Sequence, residues 1–187
     1  MEEEIKKIVE VLNLGGTILY PTDTIWGIGC DATNAKAAEK VYKLKGRGKE
    51  RSLIVLVESV EMLREYVGDL PELAIDLIAS ITEPLTIIYS NARNLAKNVM
   101  AADHTIAVRI PRDAFCQDLL HAFGKPITST SANRSGDPNP LSFSKIEKEI
   151  LEGVDYVVKT NQNRVNRPKP STMVRINKDG EIQILRN

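Results

Sequence analysis

Residues 105–136, TIAVRIPRDAFCQDLLHAFGKPITSTSANRSG, read as strand, helix and strand in turn. Ile106 to Ile110 is a short apolar run in which Arg109 is the only charge, the pattern of a buried strand. Asp113 then stands where a helix cap belongs, and apolar residues recur at helical spacing up to Phe123. Ile127 to Thr130 is a second strand, which feeds a loop rich in hydroxyls: Thr128, Ser129, Thr130, Ser131 and Ser135, with Asn133 and Gly136 among them. Short hydroxyls beside free backbone N–H groups can bind an oxyanion with no bulky side chain in the way. The stretch thus carries both the alternation that defines an α/β fold and a candidate phosphate loop.

The same alternation extends to either side. Ile5, Ile8, Val9 and Leu12 make one helical face, closed by Gly15 and Gly16. Extended chain is expected from Thr17 to Tyr20 and from Ile25 to Cys30, separated by a Pro21–Thr24 turn. Asn34 caps a helix that Gly46 ends, Ser52 to Val57 is a buried strand, and helices follow at Val60 to Tyr66 and Leu73 to Ile81. Pro84 introduces a strand from Leu85 to Tyr89. Beyond the hydroxyl loop, Ser144 with Glu147 reads as a capping box for a helix to Leu151. Strands are expected at Tyr156 to Lys159, Thr172 to Ile176 and Ile182 to Leu185, and Asn161 to Pro170 reads as a loop. The expectation is one α/β domain over residues 1–187 with a mixed, twisted sheet.

Composition narrows the function classes. The 25 basic and 25 acidic residues cancel, so bulk attraction to nucleic acid is excluded and any RNA contact needs a local patch. Cys30 and Cys116 lie in unrelated segments and His104 and His121 lack a partner pattern, so neither a disulfide framework nor a metal cluster is expected. No apolar run reaches membrane-spanning length, and Met1-Glu-Glu-Glu4 opens with acids where a signal peptide is basic. A soluble chain in a reducing cytoplasm is the expectation.

Three segments carry candidate chemistry. Lys43, Lys45, Arg47, Lys49 and Arg51 cluster at a helix end and a Gly-x-Gly turn. Either they are a solvated helix end offsetting the helix dipole, or they clamp phosphate, with Arg47 suited to bidentate contact and Lys45 to a point charge. The hydroxyl loop either satisfies its own turn or binds an oxyanion. Pro21-Thr-Asp-Thr24 interrupts two apolar runs and suits a tight turn as well as a binding loop. No Walker motif, dinucleotide fingerprint, nucleophile elbow or histidine triad is present.

In their order along the chain these segments resemble the YrdC family of threonylcarbamoyl-AMP synthases. The resemblance runs through Gly16-Thr-Ile-Leu-Tyr-Pro-Thr-Asp-Thr24, Lys45-Gly-Arg47, Thr105-Ile-Ala-Val-Arg-Ile-Pro111, Ser131-Ala-Asn-Arg-Ser-Gly136, Pro170-Ser-Thr172 and Ile184-Leu-Arg186. It implies an open, twisted mixed sheet with flanking helices and a large concave face. It also implies a reaction of L-threonine, bicarbonate and ATP that yields threonylcarbamoyl-AMP and pyrophosphate for the t6A base of tRNA. Lys45 and Arg47 would be the catalytic cations. Lys45, Arg47, Arg51, Thr105, Ser131, Asn133, Asn139 and Arg186 would meet ATP, and Thr24, Arg109, Ser129 and Ser171 would meet threonine or its carbamate. Mg2+ would travel on the triphosphate. The implied partners are tRNA or double-stranded RNA and the downstream t6A transferase machinery. The alternative is a non-catalytic RNA-binding module of the same fold, or a relative with another substrate.

The chain departs from the family pattern in places. Leu56 stands where a histidine near threonine is expected, Trp26 where tyrosine is common, and Arg51 and Asn139 where Asn and Ser are frequent. Ile81-Thr-Glu-Pro-Leu-Thr86 lacks the usual Trp-Pro-Gly lead. A carbamate oxygen attacking the α-phosphorus needs positioning and charge neutralisation more than a protein nucleophile, which suits a chain without one.

Overall fold

The computed structural model describes every residue except 47, 49–51, 165–168 and 178. The expectations for Arg47 and Arg51 lie outside the described residues, as does part of the expected 161–170 loop.

Helix α1 (Glu2–Asn13) buries Ile5, Ile8 and Leu12, and its acidic first turn suits the positive end of the helix dipole. It ends as Gly15 adopts φ +73 and Gly16 N–H bonds to Val11 O at 2.8 Å. Strands β1 (Ile18–Tyr20) and β2 (Gly27–Gly29) flank the Pro21–Thr24 turn. Helix α2 (Ala35–Lys45) starts at Asn34, whose side chain accepts from Lys36 and Ala37 N–H groups, and stops at Gly46 in the left-handed region. Then come β3 (Ile54–Leu56), α3 (Val60–Tyr66), α4 (Glu72–Ser80), β4 (Leu85–Tyr89) and β5 (Ile106–Arg109). Helix α5 (Ala114–Phe123) is capped by Asp113, which accepts from Cys116 N–H, and strand β6 (Ile127–Ser131) follows. The chain ends with α6 (Lys148–Gly153), β7 (Tyr156–Val157), β8 (Thr172–Ile176) and β9 (Ile182–Arg186).

One expected helix start is corrected. Ser144 does not open α6: residues Phe143–Lys145 form a 3₁₀ turn, Ile146 is extended, and Glu147 precedes the helix without a side-chain cap. The break has a packing cause. It lets Ile146 bury to 6% exposure and holds the Phe143 ring 4.9 Å from that of Trp26. A continuous helix through Ile146 would have to give up one of these contacts.

The strands form a nine-stranded sheet in the order β7-β1-β2-β6-β3-β5-β4-β8-β9. The pairs β1–β7, β3–β5 and β4–β8 are parallel and the rest antiparallel, which is the expected mixed sheet. Because side chains alternate across a strand, the register sorts residues onto faces. Ser131 opposes Gly27, Ser129 opposes Ile54, and Ile54 opposes Ala107. Arg109 opposes Thr86, Thr86 opposes Met173, and Met173 opposes Arg186. All these residues share one face, so three separated strand ends bring their polar side chains onto one surface. Glycine is required within it: a Cβ on Gly29 would lie 2.4 Å from Thr128 O and 2.7 Å from the Tyr20 ring. Helix α1 packs on α5, and α2 on α6.

Candidate active site

That surface floors an open cavity of about 440 Å³. Its walls include Thr24, Trp26, Ser52, Ile54, Ala107, Arg109, Ser129, Ser131, Asn139, Ser171 and Arg186. Seven of the residues singled out from the sequence therefore meet: Thr24, Arg109, Ser129, Ser131, Asn139, Ser171 and Arg186. No carboxylate, histidine or cysteine lines the cavity among the described residues, and the charged side chains that do are two arginines.

Strand geometry divides the hydroxyls. Thr128 turns to the opposite face of β6, where Cys30 N–H donates to its Oγ1 at 2.9 Å. Its role is to satisfy the sheet. Ser129 and Ser131, two residues apart, face the cavity. Ser135 is exposed in the loop beyond. The strand thus runs one residue further than the sequence suggested, through Ser131.

Behind β6 the basic helix end and the hydroxyl loop are stitched together. Lys45 Nζ donates to Ser131 O at 2.6 Å and to Asn133 O at 2.7 Å, and Lys45 is 3% exposed. In return Ser135 N–H donates to Lys45 O at 2.8 Å. The Asn133 amide donates to Asp137 O at 2.6 Å, closing the loop. Its Oδ1 is buried without a hydrogen-bond partner among the described residues. Lys45 and Asn133 therefore support the loop and do not line the cavity. Thr105 is also set back: its hydroxyl donates to Asp103 at 2.7 Å, and its neighbour in that turn, Ala101, reaches the wall. That bond, together with the Thr105 N–H, holds the Asp103 carboxyl below its ordinary range.

At one end of the cavity the Pro21–Thr24 turn shows both of the roles left open for it. Thr22 is internal, donating to Ile25 O at 2.7 Å and accepting from Thr24 N–H at 3.1 Å. Asp23 and Thr24 reach outward to Arg109 on β5. Arg109 Nη1 donates to Asp23 Oδ1 and, at 3.2 Å, to Thr24 Oγ1. Arg109 is 5% exposed, and its Nε lacks a partner among the described residues. Asp23 interrupts the apolar runs together with Thr22 and Thr24, a pattern that a turn explains equally well, and the family resemblance gives it no role. Leu56 pairs with Arg109 in the register and is 1% exposed, so it fills volume beside the guanidinium and offers no donor.

Beyond β4 and β8, Arg186 reaches in from β9. Its Nε donates to Ser171 O at 3.0 Å and its Nη2 to Ser171 Oγ at 3.1 Å, while Ser171 Oγ lies 2.7 Å from Thr86 Oγ1. Partial burial, with the nearby Arg109 charge, pulls the Arg186 pKa below its usual value. A guanidinium with only neutral described partners, Arg186, beside the donors of Arg109 makes a site for anionic groups.

Fold and cavity together define an α/β protein with a polar concave face built for an anionic ligand. The chain belongs to the Sua5/YciO/YrdC family, whose model, described as telomere recombination, matches residues 10–187. A Pseudoalteromonas translucida protein named threonylcarbamoyl-AMP synthase is 33% identical over 84% of this chain and 86% of its own length. One of the same name from Xanthomonas euvesicatoria is 32% identical over 96% of each chain. The crystal structure of P. abyssi Sua5 complexed with L-threonine superimposes with a TM-score of 0.90 at 24% identity, which establishes the shared fold. This chain covers 54% of that longer one, about half its length.

Proposed function

We propose that the chain is a threonylcarbamoyl-AMP synthase, a nucleotidyltransferase that joins L-threonine, bicarbonate and ATP and releases pyrophosphate on the way to the t6A base of tRNA. The observation that carries this reading is one cavity in which Ser129 and Ser131 on β6, Arg109 on β5 and Arg186 on β9 follow one another across the sheet, with no carboxylate, histidine or cysteine on its wall among the described residues. The names borne by relatives that cover nearly the whole chain support the same chemistry.

In this reading Thr24, Arg109, Ser129 and Ser171 receive threonine and its carbamate. Ser131, Asn139 and Arg186 meet ATP, with Lys45, Arg47, Arg51, Thr105 and Asn133 completing the nucleotide side. The threonine amine attacks bicarbonate carbon and water leaves. A carbamate oxygen then attacks the α-phosphorus, the new O–P bond forms, and the bond to pyrophosphate breaks. What this chain contributes is alignment and positive charge at the leaving group. Lys45 acts from behind, holding the Ser131 and Asn133 carbonyls so that their segment keeps its shape. Magnesium arrives as part of the ATP substrate, on phosphate oxygens and water, which fits a wall without carboxylates among the described residues.

Among the described residues no helix is long and apolar enough to cross a membrane. A cytoplasmic site of action, a direct contact with tRNA or double-stranded RNA, and transfer of the product to the t6A machinery are further parts of the proposal. The test is pyrophosphate release from ATP and bicarbonate with threonine, with serine, and with no amino acid. Threonine-dependent release is expected. Folded protein that binds ATP but releases nothing would overturn the reading in favour of RNA binding or another substrate.

A further inference from the structure

We infer that Asp23 is a positioning residue for the amino-acid half of the reaction: its carboxylate clamps Arg109 and offsets that guanidinium's charge, so the two arginines of the cavity differ in net charge. The inference rests on the synthase reading above. Arg109 hangs from a β-strand whose backbone is fixed on both sides, by β3 and by β4. Its long side chain would still be free to swing. Asp23 removes that freedom by taking Nη1 on one oxygen, with Thr24 Oγ1 bonding the same nitrogen.

Asp23 is itself held. Its second oxygen lies 3.4 Å from Arg112 N–H. The Arg112 guanidinium in turn donates to Ile78 O at 2.6 Å and Ile81 O at 2.8 Å, fastening the segment after β5 to the end of α4. Asp23 also borders a second cavity of about 290 Å³ and does not line the first. It therefore stands behind Arg109 as a wall between the two and is not placed to touch a ligand in the larger one. The side chains are buried, Arg109 at 5% and Asp23 at 12% exposed, so the pair is little screened and breaking one partner leaves an uncompensated charge.

The consequence for ligands is an asymmetry. At Arg186, the described partners are a serine hydroxyl and a carbonyl, so its positive charge stays uncompensated and suits a polyphosphate. At Arg109 the pair with Asp23 is neutral, and the remaining donors of the fork suit a small carboxylate that carries its own ammonium, such as a free amino acid.

The experiment compares wild type, Asp23→Asn, Arg109→Ala and the double variant. Wild-type pyrophosphate release with threonine is measured first, and its absence sinks the synthase reading. Asp23→Asn is expected to raise the threonine KM about tenfold or more, because a misaimed guanidinium loses its bidentate contact, while the affinity for ATP stays within about twofold. The double variant is expected to be no worse than Arg109→Ala, since Asp23 acts through that residue. Calorimetric titration of L-threonine reads the same clamp without turnover and keeps it testable if the synthase reading fails. Unchanged threonine affinity in Asp23→Asn, equal losses for threonine and ATP, or multiplying defects in the double variant would each overturn the inference. If Asp23→Asn does not fold, Asp23→Glu, which keeps the charge but lengthens the arm, is read by the same criteria.

Discussion

Lys45 and Ser131 stand 86 residues apart in sequence, and the Lys45 ammonium donates to the Ser131 carbonyl oxygen at 2.6 Å. A residue that the sequence offers as a phosphate clamp is therefore also a structural tie. Lys45→Ala is expected to lower stability by about 2–3 kcal/mol, because it strips a charged donor from two carbonyls, and to reduce turnover as the hydroxyl segment loosens. Urea unfolding and pyrophosphate release on the same preparation check both. An unchanged urea midpoint with lost activity would place the ammonium's main role on the nucleotide.

Arg186 makes a different case, because its fork is shared between Ser171 O and Ser171 Oγ. Lysine keeps the charge but cannot reproduce two donors in one plane. Arg186→Lys is expected to reduce kcat/KM for ATP by about tenfold or more with little change in thermal midpoint. The strand carrying it is mostly exposed, so its packing contribution is small. Steady-state kinetics at varied ATP tests this, and wild-type kcat/KM in the variant would remove Arg186 from the nucleotide site.

How far the sequence could be read depended on whether a signal was local. Asp113, Asn34 and Gly46 mark helix ends through contacts with neighbours in sequence, and each does so in the structure. Ser144 carries an equally good local signal and fails, because the burial of Ile146 and the tilted ring contact of Phe143 with Trp26 are decided by distant chain. The strand order, which sets β8 beside β4 and leaves β9 at the edge, rests on pairings between residues far apart and has no local mark. The meeting of Thr24, Ser129, Ser171 and Arg186 followed from family resemblance, not from spacing. The role of Asp23 has no local mark, because its partner, Arg109, lies 86 residues away on β5.

Glu4 gives a stability prediction with a definite sign. Burial raises its pKa, but hydrogen bonds from the Thr160 hydroxyl, the Lys159 and Thr160 N–H groups and the Tyr156 hydroxyl outweigh this and lower it below the ordinary 4.5. A depressed carboxylate stabilises the fold above its unfolded pKa, and that stability is lost as pH falls through the folded value. Glu4→Gln is therefore expected to melt below wild type at neutral pH, with the gap closing once the pH falls well below 4.5. Thermal melts of both proteins over acid to neutral pH measure the gap. A constant gap would mean that Glu4 anchors α1 by shape and not by charge.

Trp26 is the chain's single tryptophan, so its emission reports one place. The side chain is fully buried, its ring lies 4.9 Å from that of Phe143, and Nε1 has no hydrogen-bond partner among the described residues. Its carbonyl accepts from Ala132 N–H at 3.0 Å, which ties it to the residue after Ser131 on the proposed nucleotide side. Free protein is therefore expected to show blue-shifted emission, because the indole is out of water. ATP is expected to change its intensity, whereas L-threonine alone, held at the Arg109 end, leaves it nearly unchanged. Fluorescence titration with each ligand separates the two ends of the cavity. A response to threonine equal to that for ATP would show that the halves are not divided between Ser131 and Arg109 as proposed.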